Sequence, residues 1–481
     1  MRFSKAIVFL TLAILLEACS IFSIDKKKDD TPKVYRNADV NSWIYEQMKR
    51  YYLWSDQLPA VENTNTTGEI ETYFYDLLYQ YKTVDRFSWM QTSVDELKAS
   101  LNGQNKAFGI KQYPFYMDNA TRSRVAYAIQ YAIRGGAAAA AGLKRGDIIT
   151  KVNGENITAS NYQSLLTDLE SATFTLGAYS NGVIVDSENT ITVTKALSQT
   201  NAIQHSEIIN ISGKKVGYLV YTQFLTSNDK ELNDVFGTFK DAAIDELVID
   251  LRFNPGGYIS SAELLSSLIV KNLDENALMT RQIWNETMTA FYKNKEGDKA
   301  FDTYFFKSRA DVGTLNNITS LDRVYFLTSN GSASASELTI NNLKPYMDVI
   351  IVGEHTYGKN VGSITISEGS EPRRWDWGLQ PIVLKSVNKN GESDYGTVNG
   401  FTPDIKVEDR LIPYLPFGNT EETLLHAALL DIFKNDANAQ AKLKARTKQK
   451  KAITTLANHA LPDNLNLDKM EMYTTLPGEK P

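Results

Sequence analysis

The stretch Val324–Ser363, VYFLTSNGSASASELTINNLKPYMDVIIVGEHTYGKNVGS, constrains the fold of this chain more than any other. Val324–Leu327 is short, apolar and β-prone, the pattern of a buried strand. A turn of small residues follows, Gly331–Ser336. Glu337–Met347 can then carry a helix with Leu338 and Leu343 on its buried side. Val349–Val352 repeats the buried-strand pattern and runs through Gly353 into a polar turn that holds Gly358 and Lys359. Strand, helix and strand make a return trip that brings the two turns to the same sheet edge.

A serine delivered by a strand into a tight turn at a helix start is the way many acyl-transfer enzymes present a nucleophile. The helix N-terminus adds unpaired N–H groups and a positive dipole end, which favour a developing oxyanion. Serine needs a base at neutral pH. The chain holds only His205, His355, His426 and His459, so few histidine triads are open to it. Lys359, 25 residues after Ser334, is the stronger candidate, and His355 the weaker. A lysine serves as base only if burial brings its pKa from about 10.4 toward neutrality. The apolar run Val349–Val352 and the flanking Gly358 suit such a site.

GSASASE followed by GEHTYGK resembles the serine–lysine core of the C-terminal processing peptidases, also called tail-specific proteases. The resemblance runs from about Asn37 to Leu430. It implies that Ser334 is the nucleophile and Lys359 the general base. It implies a multidomain α+β fold: a helical N-terminal domain, a PDZ-like β-rich domain, and an α/β (crotonase-like, ββα-unit) protease core. DLRFNPGG, Asp250–Gly257, resembles the family's second signature. By that resemblance an N–H of Gly256 or Gly257 joins that of Ala335 in the oxyanion hole. Glycines let backbone approach a substrate closely, and two donors suffice. Arg252 reads as a structural charge partner. Many members carry glutamine four residues after the lysine. Ser363 stands there in this chain and is the candidate to orient Lys359, with a shorter reach.

The start of the chain points to export. A basic Met1–Lys5 precedes an apolar run, Ala6–Leu16, too short for the roughly 20 residues of a bilayer span. It fits the hydrophobic region of a secretory signal. Leu16-Glu17-Ala18-Cys19 resembles a bacterial lipobox, which implies cleavage before Cys19 and lipidation of that residue; the alternative is a plain secretory signal cut nearby. Cys19 is the only cysteine, so a disulfide framework is excluded. The charged segment up to Arg36 reads as a flexible tether. A net charge of −6 gives no electrostatic case for nucleic-acid binding.

In order, the expected units are a signal peptide (1–18), a lipidated tether (19–36), a helical domain (37–104), a PDZ-like domain (105–197), a peptidase core (198–434) and a helical or polar tail (435–481). Trp43, Tyr45, Met48, Tyr51, Tyr52 and Trp54 form an amphipathic aromatic stretch that suits a core, or a partly open groove. Asp85–Met90 resembles a segment before the second domain of the family. AGLKRGDIITKVNG, Ala141–Gly154, resembles a PDZ core, with Gly146 and Gly154 at turns. PDZ domains add a bound chain end to a sheet edge and capture its carboxylate with backbone N–H groups. Phe108, Gly109 and Ile110 are the candidates for that loop. Val216–Val220 and Glu246–Leu251, with a helix at Asp229–Ala243 between them, give βαβ patterning. Lys271–Ser320, with Trp284, Tyr292 and Tyr304, reads as a hairpin or flap over the site. Thr420–Phe433 reads as a helix capped by its threonine.

The expectation is therefore a lipid-anchored serine endopeptidase of the bacterial envelope, acting on polypeptides engaged by their C-termini, with no cofactor, no metal and no nucleic-acid partner. The alternative is a PDZ-containing envelope lipoprotein that binds peptides without cutting them.

Overall fold

A computed structural model describes residues 35–117, 122–180, 183–450 and 471–476. The signal, Cys19 and nearly all of the tether lie outside these residues. The helices α1 (Asn37–Tyr51) and α2 (Ile70–Asp76) open the described chain. A five-stranded antiparallel meander follows: β1 (Ile110–Tyr116), β2 (Val125–Ala132), β3 (Ile148–Val152), β4 (Ser171–Ser180) and β5 (Val183–Thr194). The alanine run forms the short helix α3 (Ala137–Ala140) beside it. Gln104–Ala107 pairs antiparallel with Ala196–Gln199, so the chain enters and leaves this meander at one point.

The remainder is built on two six-stranded sheets. The first contains β6 (Ile203–Ile211), β7 (Lys214–Tyr221), β8 (Glu246–Asp250), β12 (Arg323–Thr328), β13 (Asp348–Gly353) and β16 (Ile405–Lys406), in that order. All neighbours from β7 to β16 are parallel. Helices α4 (Asp229–Asp241), α5 (Ile259–Ile269) and α6 (Ala335–Leu343) make the crossovers. Parallel strands need both faces covered, and the sequence supplies two apolar faces. Leu247, Ile249, Val324, Phe326 and Ile351 pack into one cluster. Val248, Tyr325, Leu327 and Val352 pack into another beneath α7 (Thr423–Ile432). The second sheet runs β9 (Gly256–Tyr258), β17 (Glu471–Tyr473), β14 (Val361–Ser363), β15 (Ile382–Asn388), β10 (Leu278–Trp284) and β11 (Asp302–Tyr304). Every residue of α6 is buried between the sheets, where Asn341 donates to Glu392 O (3.0 Å) and Asn342 to Ser266 Oγ (3.3 Å).

Three expectations change. The N-terminal helices do not enclose a separate core. Val40, Ile44, Met48, Tyr52 and Phe74 belong to the same cluster as the first sheet, and Trp43, Tyr45 and Trp54 pack against it half-buried. Lys271–Ser320, expected as a hairpin or flap, is an antiparallel β10–β11 pair built into the second sheet rather than a flap. It supplies β10, a helix over Glu286–Glu296 and β11, and it buries Trp284 and Tyr292. The cap of α7 is Glu422, whose carboxylate accepts from Leu425 N (3.1 Å), and not Thr420.

Glu422 has a second task. Arg252 is 1 % exposed and forks onto Asp250 (2.7 Å), Asp409 (2.8 Å) and Glu422 (2.7 Å). Arg145, from the meander, reaches Glu422 at 3.1 Å and donates to Leu415 O at 2.7 Å. Burial opposes the charged form of Glu422, but the two guanidiniums outweigh it and hold its carboxyl well below the usual range. Three carboxylates thus share two cations out of water. Removing one cation leaves buried charge uncompensated, so Arg252→Met is expected to lower stability by about 3–5 kcal/mol. Urea unfolding measures this. A change below about 1 kcal/mol would show that the cluster holds nothing together.

Candidate active site

The parallel strands β8, β12 and β13 end on one edge, and each ends in a turn: Leu251–Gly257, Ser329–Ser334 and Glu354–Lys359. In open α/β sheets this carboxyl edge is where ligands bind. Hydroxyls stitch the first two turns together. Ser329 Oγ donates to Arg252 O (2.5 Å), Ser332 Oγ to Leu251 O (2.7 Å) and Ser336 Oγ to Asn254 O (3.0 Å). Tyr357 N donates to Ser332 O (2.9 Å), which ties in the third turn.

Ser334 differs from its neighbours. It is fully buried, and among the described residues no group makes a well-formed hydrogen bond with its Oγ. Its backbone sits at φ 64° and ψ −113°, a strained conformation for a residue with a side chain. Such strain persists only where the surroundings over-determine it, and here the surroundings are visible.

Glu337 lies three residues on, in the first turn of α6, fully buried. Its Oε2 accepts from Ser334 N (2.8 Å) and Lys359 N (2.9 Å). Its Oε1 accepts from Gly358 N (2.7 Å) and Thr356 Oγ1 (2.5 Å). One carboxylate therefore fastens the serine turn to the lysine turn. Burial pushes this carboxyl up to about 7, against the pull of the four donors. Gly358 has no room for a side chain: with φ 87°, a Cβ would stand 1.6 Å from Thr397 O.

Lys359 is 1 % exposed, with Nζ 5.0 Å from the centre of the Phe87 ring. Arg86 donates to Gly358 O (2.7 Å). The Asp85–Met90 segment is thus the wall of the lysine turn, and buried Asp85 shapes it by accepting from Tyr52 OH (2.7 Å) and Ser88 Oγ (2.6 Å).

The glycine turn approaches from the other side. Gly256 N–H donates to Asn254 Oδ1 (2.9 Å), so it is already committed. Gly257, at φ 137°, would place a Cβ 2.1 Å from Phe224 O. Ala335 opens α6, where N–H groups lack intrahelical partners. The Ser363 hydroxyl donates to Met472 O (3.3 Å) and accepts from Gln380 Nε2 (3.0 Å). His355 is exposed, whereas Ser334 is buried, and no hydrogen bond joins the two among the described residues. Phe108, Gly109 and Ile110 lie away from this centre at the start of edge strand β1, with Phe108 packed on Phe174 (5.7 Å). Sequence reasoning missed Glu337, although Ser-x-x-Glu at a helix start is the capping-box spacing and was legible. It also missed Arg86, Phe87 and the strand β17.

Residues 215–407 match the pattern of Peptidase family S41, residues 39–89 that of the Peptidase S41 N-terminal domain, and residues 129–175 that of the PDZ domain. A protein of Staphylococcus aureus named "Probable CtpA-like serine protease" is 26 % identical over 285 residues, covering 57 % of this chain and 49 % of that protein. Its counterpart in Staphylococcus saprophyticus is 24 % identical over 275 residues, covering 56 % and 48 %. The chain spans about half the length of the curated relatives it matches. The crystal structure of a Bacteroides fragilis protein named "Putative S41 protease" is similar at a TM-score of 0.68 and 26 % identity, over 82 % of this chain and 97 % of that one. With both S41 regions and a PDZ domain in order along the sequence, and with this fold, the chain belongs to peptidase family S41.

Proposed function

We propose that this chain is a serine endopeptidase in which Ser334 is the nucleophile and Lys359 the general base. One observation carries the reading. Of the four serines around the turn, Ser329, Ser332 and Ser336 spend their hydroxyls on backbone carbonyls. Ser334 alone is strained and buried without giving its hydroxyl to a carbonyl, and its N–H shares a carboxylate oxygen with that of Lys359.

The chemistry follows from the groups. Lys359, as the neutral amine, takes the proton of Ser334 Oγ while that oxygen attacks a peptide carbonyl carbon. Lys359 is almost fully buried, with its amine beside the Phe87 ring. The oxyanion is held by Gly257 N–H and Ala335 N–H; Gly256 N–H, spent on Asn254, fixes the turn instead. Lys359 then protonates the leaving amine, and a water it activates releases the acyl group. Glu337 acts as a positioning residue that sets the distance between nucleophile and base.

The substrates we propose are polypeptides recruited by their C-termini along β1, an edge strand of the PDZ meander, with Phe108–Ile110 as the carboxylate loop. The lipobox-like Leu16–Cys19 supports an envelope lipoprotein. A second reading, a peptide binder that does not cut, draws on the Ser334 hydroxyl making no hydrogen bond to Lys359. Casein cleavage separates the two. Ser334→Ala and Lys359→Ala are each expected to lower kcat/KM by about 10⁴-fold with the fold intact by circular dichroism. A parent chain that leaves casein and C-terminally apolar peptides uncut favours the binder.

Glu337→Gln keeps the size of the side chain but offers one acceptor oxygen to four donors. It is expected to lower kcat/KM by about 100-fold through misplacement of Ser334 and Lys359. Because the folded carboxyl titrates near 7 and the unfolded one at its ordinary 4.5, its contribution to stability is complete below pH 4.5 and is lost as pH rises through about 7. The melting temperature of the parent minus that of Glu337→Gln is therefore expected to fall between pH 4.5 and 8. A flat difference would remove this carboxyl from the pH response.

A further inference from the structure

The strand β17 joins two elements that do not otherwise meet. In the second sheet β9 and β14 each pair with β17, in parallel, and among the described residues not with one another. β9 begins at the glycine turn, Gly256-Gly257. β14 begins at Val361, two residues after Lys359. The gap between them is one strand wide, and its edges lead directly to the groups assigned above to the oxyanion and the base. Residues from the far C-terminal part of the chain fill it.

The contacts are those of a bound peptide. Glu471, Met472 and Tyr473 stand opposite Gly256, Gly257 and Tyr258, and Tyr473 also stands opposite Ser363. On the opposite side of β9, Phe224 takes both Gly256 O (2.8 Å) and Tyr258 N (2.9 Å). Thr474 N donates to Ser363 O (3.1 Å), and Met472 O accepts from the Ser363 hydroxyl. Main chain thus supplies most of the hydrogen bonds, which makes the slot tolerant of sequence. Side chains add two anchors. Met472 is fully buried in the main core cluster. Tyr473 packs edge-on against Tyr258 at 4.2 Å, and its hydroxyl reaches Leu101 O. Past Tyr473 the segment follows a cleft of about 500 Å³ between Lys98 and Asn102 on one wall and Ile364 and Ser367 on the other. The Met472 carbonyl is engaged by the Ser363 hydroxyl (3.3 Å), and among the described residues it makes no hydrogen bond with Ser334 Oγ.

We propose that the slot between β9 and β14 binds an extended polypeptide with a medium-sized apolar side chain followed by an aromatic one, and that residues 471–476 occupy it as a displaceable pseudosubstrate. The inference rests on the peptidase reading for the identity of the slot as the substrate's path. A segment tethered in the same chain competes at an effective concentration in the millimolar range. A free substrate therefore meets a site already taken, and its apparent affinity is reduced by the fraction of molecules with the slot open. This agrees with the burial of both Ser334 and Lys359.

The test uses full-length chains. Met472→Asp drives a carboxylate into a fully buried position and expels the strand. Tyr473→Ala weakens the same anchor without burying charge. The probe is a fluorescent peptide of residues 469–478, KMEMYTTLPG. In a Ser334→Ala background, which prevents cleavage of the probe, each substituted chain is expected to bind it at least about tenfold tighter than the chain with an intact strand. A probe with Asp in place of Met472 is expected not to bind. Equal affinity with and without the substitution, or no binding by folded substituted chains, overturns the proposal. With Ser334 present, the same substitutions are expected to raise casein cleavage about tenfold at low substrate; an unchanged rate overturns the pseudosubstrate role. If no chain cuts casein, the peptidase reading fails, and probe binding alone decides the fate of the slot.

Discussion

One buried carboxylate sets the geometry on which the site depends. Glu337 takes hydrogen bonds from both the serine turn and the lysine turn. Its burial is costly, because a carboxylate removed from water favours its neutral form. Four convergent donors offset that cost. Ser334 is held in a backbone conformation that its own side chain disfavours, and the carboxylate on its N–H is one of the restraints that keep it there.

The sheet explains why these turns can meet at all. Parallel strands with helical crossovers deliver successive loops to one edge, so residues 80 positions apart in sequence become neighbours without any long-range design in the loops themselves. The hydroxyls of Ser329, Ser332 and Ser336 lock the serine turn against the glycine turn. Behind that turn, Arg252 and its carboxylates connect the glycine loop to α7 and, through Arg145, to the PDZ meander. The edge that carries these turns is therefore gripped by buried charge on one side and by the aromatic ring of Phe87 on the other.

Much of this was legible in the sequence. Short, nearly continuous apolar runs in Leu247–Leu251 and Val324–Leu327 signalled buried strands, and the small-residue turn and Gly358-Lys359 marked the two loops. Arg252 was legible as a structural charge partner, but its burial was not. Other features carried no local signal. The use of Glu422 in place of Thr420 as a helix cap depends on Arg252, 170 residues away in sequence. The spending of the Gly256 N–H on Asn254 Oδ1 and of the Ser363 hydroxyl on Gln380 and Met472 depends on which partners the fold delivers. The docking of β17 could not be read from periodicity, because a three-residue strand is too short to show one.

The shared core of the N-terminal helices also fixes an order of events in biosynthesis. Trp377 donates to Tyr35 across 342 residues, Leu53 N pairs with Ile382 O, and Ser88 Oγ accepts from Ile382 N. The first helices therefore have no finished surface to settle on until the strand at residue 382 has left the ribosome. Contacts of such long loop closure form late and slowly. A chain wired in this way completes the packing of α1 and α2 only after most of its residues have been made, and the apolar faces left open until then are a hazard for aggregation.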